Sequence, residues 1–174
     1  MKYIPGGEAP SPSEPPAVAR SKGPANRSPD VFIVHGHDQA SKHEVARFLE
    51  STGLNVIILH ERADKGRTII EKLEEHNNPS LAIVLLTPDD LGGMASSPSK
   101  LNPRARQNVV FEMGFFVGRL GRSRVIVLHS PGVEIPTDYQ GVLYIPLGRE
   151  DAWKLKLAQE LRSAGMTVDL SRIA

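Results

Sequence analysis

The chain has no cysteine. Disulfides, thiolate nucleophiles and cysteine-ligated zinc are therefore excluded. Long apolar runs are absent too: LAIVLL at 81–86 is far too short to cross a bilayer, and the N-terminus carries no apolar signal core. Neither sign of charge is in surplus. Lys and Arg number 21 against 20 Asp and Glu, a net +1, so no whole-molecule field points to nucleic acid or an anionic membrane. These absences leave an expectation of a soluble, cytoplasmic protein that engages neither nucleic acid nor membrane.

The 174 residues suffice for one ordinary domain and an appendage. Residues 1–29 hold seven of the 14 prolines, with Gly6, Gly7, Gly23 and several serines, and read as a disordered tail or linker. From Asp30 the texture changes, and 30–174 is expected to form the folded domain. Apolar runs at 31–35, 55–59, 81–86, 124–129 and 141–147 alternate with helical patterns. Runs that are apolar throughout are what strands look like when helices cover both faces of a sheet. Strands interleaved with helices imply parallel pairing through right-handed crossovers. The expectation is a flavodoxin-like, doubly wound α/β domain whose ligand crevice lies at the carboxyl ends of five strands, just after Val34, Leu59, Leu86 and Leu128.

Two capping boxes mark helix starts, Ser41 with Glu44 and Thr68 with Glu71. Before the second, DKGR sets Gly66 and Arg67 beside helix amides, a plausible phosphate cradle. HGHD at 35–38 follows the first strand, where Gly36 lets the backbone approach a ligand. Two readings stand for this motif: His35 and Asp38 face a ligand, or Asp38 ends the turn and caps the helix. Metal binding by His35, His37 and Asp38 lacks a pattern that completes the site. The connection from Thr87 to Arg106 has no periodic pattern, which is long for a compact domain and typical of lids or disordered loops. It opens with Asp89 and Asp90 and closes with Arg104 and Arg106. Those charges pair with one another in solvent, or they form a lid whose guanidinium groups suit phosphate.

Residues 104–122 read RARQNVVFEMGFFVGRLGR. The helix expected from Asn108 to Leu120 is apolar nearly all round and should be buried. In its second turn sits one acid, Glu112, with Asn108 one turn earlier on the same face. Such a carboxylate is costly unless it is paired or used. A buried ion pair with Arg104 or Arg106 is one reading. A reactive carboxylate at the crevice is the other.

The order FIVHGHD, GRTIIEKLE, AIVLLTPDD, RARQNVVFEMGFFVGRLGR and IPTDYQGVLYIPL resembles the bacterial TIR-like domains described as predicted nucleotide-binding effectors of cyclic-nucleotide anti-phage systems, over roughly residues 30–170. The resemblance implies a flavodoxin-like TIR fold with a five-stranded, mostly parallel sheet and helices on both faces. It implies NAD⁺ glycohydrolase activity, with NAD⁺ as substrate and no cofactor or metal, and it maps the essential acid onto Glu112. The candidate substrate-binding residues are His35, Gly36, Asp38, Arg67, Thr68, Asp89, Arg104, Arg106 and Asn108. It further implies TIR–TIR self-association through the loop from Glu61 to Thr68, and a cyclic-nucleotide sensor domain or partner outside this chain.

The chemistry agrees with one acid. The pyridinium of NAD⁺ leaves as neutral nicotinamide and needs no proton, unlike the leaving group of an ordinary glycoside. Two rivals remain open: a nucleoside deoxyribosyltransferase-like N-glycosidase, which also depends on one glutamate, and a non-catalytic TIR scaffold. A phosphoacceptor receiver would need an acidic pair after the first strand, which HGHD does not supply.

Overall fold

The computed structural model describes residues 30–58, 79–136, 138, 141–148 and 150–172. In chain order the elements are β1 (Asp30–Val34), α1 (Gln39–Ser51), β2 (Asn55–Ile58), β3 (Leu81–Leu86), β4 (Asp90–Gly92), β5 (Asn102–Arg104), α2 (Gln107–Leu120), β6 (Val125–His129), β7 (Leu143–Pro146) and α3 (Ala152–Ser163). Single turns of 3₁₀ helix occur at Arg122–Arg124 and Leu170–Arg172.

Five strands form one sheet in the order β2-β1-β3-β6-β7, and every pairing in it is parallel. This is the flavodoxin-like order expected from the sequence. The apolar runs have the expected cause, since all six residues of β3 are buried. Alternate residues feed two cores. Val31, Ile33, Ile83, Leu85 and Leu128 meet Val45 and Leu49 of α1 and Trp153, Leu157 and Leu161 of α3 on one face. Phe32, Val34, Val84, Leu86 and Val127 meet Val109, Met113, Phe116 and Leu120 of α2 on the other. Among the described residues no helix is long and apolar enough to cross a membrane.

Three expectations need correction. Helix α1 does not begin with a Ser41 capping box. Its N-cap is Asp38, in extended conformation, whose carboxylate accepts the Ser41 amide at 3.0 Å and the Ser41 hydroxyl at 2.7 Å. Aspartate at this position satisfies a first-turn amide directly, so the helix starts at Gln39, three residues before a Ser41 cap would start it, and Ser41 falls inside it. The connection from Thr87 to Arg106 is not patternless coil, because β4 and β5 pair as an antiparallel hairpin, with Leu91 opposite Pro103. Finally, α2 is not buried all round: Phe111 is 69% exposed, while Val109, Glu112, Met113, Phe116 and Leu120 form the covered face. The second capping box, with Arg67, Thr68 and the loop from Glu61, lies outside the described residues.

Candidate functional site

The chain leaves β1 for α1 on one face of the sheet and leaves β3 for α2 on the other. These neighbouring strands, in register from Val31 with Leu81 to Val34 with Val84, therefore diverge at their carboxyl ends, where open α/β sheets hold ligands. His35 and Gly36 follow β1, and Thr87 and Asp89 follow β3. All but Asp89 are buried, and Asp89 is partly so.

Asp89 joins the two connections. Its Oδ1 accepts the backbone amide of His37 at 2.9 Å, and its Oδ2 accepts the hydroxyl of buried Thr87 at 2.9 Å. The carboxylate lies against Gly36, where any side chain would collide with it. Gly36 thus permits a close approach, and in this structure the approaching group is the protein's own Asp89, where the sequence reading set a ligand. His35 turns its Nδ1 to the Gly36 carbonyl at 2.7 Å. Because a carbonyl can only accept, that nitrogen carries the proton.

Of the two readings open for Asp38, its carboxylate performs the capping one. Partial burial pushes that carboxyl up, but hydrogen bonds from the Ser41 hydroxyl and from the Ser41 and Ala40 amides outweigh it, and the net displacement is downward. His35, His37 and Asp38 are therefore turned to different partners and do not converge as a ligand set.

Glu112 is 1% exposed. It sits in the second turn of α2, on the face that carries Val109, Met113 and Phe116 against the sheet. The amino-terminal end of a helix favours negative charge, and the start of α2 has no side-chain cap to compete for that role. Asn108 is exposed one turn earlier.

The arginines divide. Arg106, the residue before α2, brings Nη1 to 3.2 Å from His37 Nε2 and so ties the start of that helix to the loop after β1. Arg104 lies across Gly92 of the hairpin, its Nε buried with no hydrogen-bond partner among the described residues. The ion pair of either arginine with Glu112 that the sequence allows is not among the contacts between described residues. Sequence reasoning therefore misses His37 and Thr87, which hold the mouth of the crevice together. HGHD draws attention to His37 only as a candidate metal ligand, and the role of each residue comes from a partner brought close by the fold.

Two clefts stand out among the described residues. One of 290 Å³ is lined by Arg104, Ala105, Gln107, Val110, Glu134 and Pro136. A larger one of 410 Å³ is lined by Arg122, Arg124, Gly141, Leu143 and Glu160, at the amino ends of β6 and β7. It is larger but lies at the edge of the sheet away from the catalytic candidates.

Comparison with known proteins bears on this arrangement. Residues 30–149 match the family described as CAP12/Pycsar effector protein, TIR domain. The uncharacterized protein YuaY of Escherichia coli is 51% identical over 156 residues, which cover 88% of this chain and 50% of that protein. Protein tirC of Dictyostelium discoideum is 38% identical over 125 residues, 66% of this chain and 62% of its own length. The Pycsar effector protein PaPycTIR of Pseudomonas aeruginosa is 42% identical over 79 residues, 44% of this chain and 25% of that one. The chain thus spans about half the length of the first of these relatives and under two thirds of the second.

Proposed function

The chain belongs to the TIR-domain family of CAP12/Pycsar effectors, and we propose that it is an NAD⁺ glycohydrolase acting in anti-phage defence, with Glu112 as the essential acid. The observation that carries this reading is Glu112, 1% exposed and the one buried acid among the described residues, on the helix face that α2 packs against the sheet.

In the proposed reaction the bond between ribose C1′ and the pyridinium nitrogen breaks, and its electron pair leaves with neutral nicotinamide. Water then bonds to C1′ and loses a proton, giving ADP-ribose. The transition state resembles an oxocarbenium ion, and a fixed carboxylate aimed at that charge stabilises it more than the ground state. Apolar neighbours keep water out and strengthen the effect. His35 and Gly36 would face the ribose and nicotinamide end. Asp89 and Asp38 would shape that wall from behind, and Arg106 would meet the diphosphate, with Arg104, Asn108 and the outlying Arg67 and Thr68 as further contacts. Self-association and a cyclic-nucleotide sensor outside this chain would supply activation, in keeping with relatives that extend well beyond the aligned part.

The decisive experiment incubates the protein with NAD⁺ at high protein concentration, with and without candidate cyclic nucleotides, and measures nicotinamide by chromatography. Release by the wild type and none by Glu112→Ala supports the reading; equal rates would end it. A second reading, an interaction module without catalysis, draws on the exposed Leu91, Met94, Leu101 and Phe111. In that case Glu112→Ala leaves partner binding intact and no nicotinamide appears from either form.

A further inference from the structure

His37 is exposed, belongs to no core and takes no part in the bond-breaking described above. Its placement is nonetheless tightly specified. Asp89 Oδ1 holds its backbone amide, Gly36 before it admits no side chain, and the amide of Gln39 reaches its carbonyl at 3.5 Å. The loop thereby presents the imidazole to the start of α2, where Arg106 Nη1 meets Nε2 at 3.2 Å. A guanidinium has donors only, so this contact requires Nε2 to be an unprotonated acceptor and Nδ1 to carry the ring proton.

We infer that His37 is a positioning residue: in its neutral form it holds the Arg106 guanidinium at the crevice mouth, where the remaining donors bind the diphosphate of a dinucleotide. The inference rests on the NAD⁺ reading above and adds to it a residue and a regulation. An arginine on a flexible stem loses rotamer freedom when it grips phosphate, and a fixed acceptor supplies part of that ordering in advance. Protonating His37 removes the acceptor and leaves two cations in contact, so Arg106 is released. Among the described residues, the charged groups that hold this loop are Asp89, which accepts the His37 amide, and Asp38, which caps α1.

The test combines a spectroscopic and a binding measurement. In nitrogen-15 spectra at neutral pH, His37 should be fixed in the Nδ1–H tautomer, and Arg106→Gln should return it to the usual mixture. No difference between the two proteins overturns the inference whatever the enzyme does. Binding is measured with ADP-ribose, which retains the diphosphate and does not depend on turnover. Affinity should fall about tenfold between about pH 7.5 and about pH 5.5, as loss of one charge-assisted hydrogen bond predicts. His37→Gln, whose amide oxygen accepts and does not titrate, should abolish that pH step, and His37→Ala should bind weakly at both values. A pH step that persists in His37→Gln overturns the inference. Nicotinamide release separates the two claims. If it is absent while the ADP-ribose pattern holds, the hydrolase reading alone fails; if it is present with KM independent of pH and of His37, the positioning role alone fails.

Discussion

The carboxylate of Asp89 occupies the space in which a side chain on Gly36 would have to stand: a methyl group built there lies 2.6 Å from Asp89 Cγ. The two residues come from the ends of adjacent parallel strands, and their contact fixes how the loops after β1 and β3 sit together.

Gly36→Ala should therefore destabilise the protein by about 1–3 kcal/mol through overpacking against the partly buried Asp89 carboxylate. Asp89→Ala should cost about 1 kcal/mol or more for the lost bonds to the His37 amide and Thr87 hydroxyl. Because the first penalty comes from the Asp89 carboxylate, the double variant should lose clearly less than the sum. Urea unfolding of the four proteins gives the cycle, and strict additivity would mean the contact is relieved by movement elsewhere.

Asp38 supplies a pH dependence whose sign is fixed. Its carboxyl is held below the ordinary value of 3.8 by the bonds from Ser41 and Ala40, which outweigh desolvation. The folded state thus favours the ionised form. The resulting stability is fully present above the unfolded value and is lost as pH falls through the lowered folded one. Asp38→Ala should cost about 1 kcal/mol at neutral pH, the usual worth of an N-cap. Asp38→Asn, which keeps an acceptor, should recover most of it and flatten the loss of stability below about pH 4. Thermal melts across the acid range check both.

What the sequence reveals and what it hides follow one physical division. The β3 run LAIVLL is legible because both faces of a central strand are covered and every side chain must be apolar. Glu112 is legible because a lone acid breaks an apolar repeat. The hairpin is not, since its three-residue strands contain Asp90, Gly92, Asn102 and Pro103, and they are shaped by pairing and by Arg104 lying across Gly92. The contact of His37 with Arg106 joins positions 69 apart and leaves no local trace. The cap at Asp38 is one of the two readings that the sequence leaves open for that residue. Both Asp38 and Ser41 are good caps, and the geometry of the preceding turn decided between them.

For Glu112, an isosteric change separates chemistry from folding. Glu112→Gln keeps size and most hydrogen-bonding capacity while removing the negative charge proposed to face the oxocarbenium ion. Nicotinamide release should fall by about a hundredfold or more, the scale for losing a preorganised electrostatic contact. Circular dichroism and the unfolding midpoint should still report a folded domain. A variant that turns over at the wild-type rate would move the essential group elsewhere, with His35 the next residue to examine.

Helix α2 offers the sharpest test of which face the sheet covers. Phe116 is fully buried, with its ring centroid 5.8 Å from that of Phe32. Phe116→Ala should cost about 3–5 kcal/mol, the transfer and cavity penalties together. Phe111, five residues earlier and 69% exposed, has almost no burial to lose, so Phe111→Gln should change stability by less than about 0.5 kcal/mol. The sequence alone gives both phenylalanines the same standing, and only the rotation of the helix against β1 and β3 separates them. Nicotinamide release by Phe111→Gln then has a clear meaning. If stability is unchanged and activity falls only in its dependence on protein concentration, the exposed ring serves assembly; if activity is unchanged at every concentration, it faces solvent without a role.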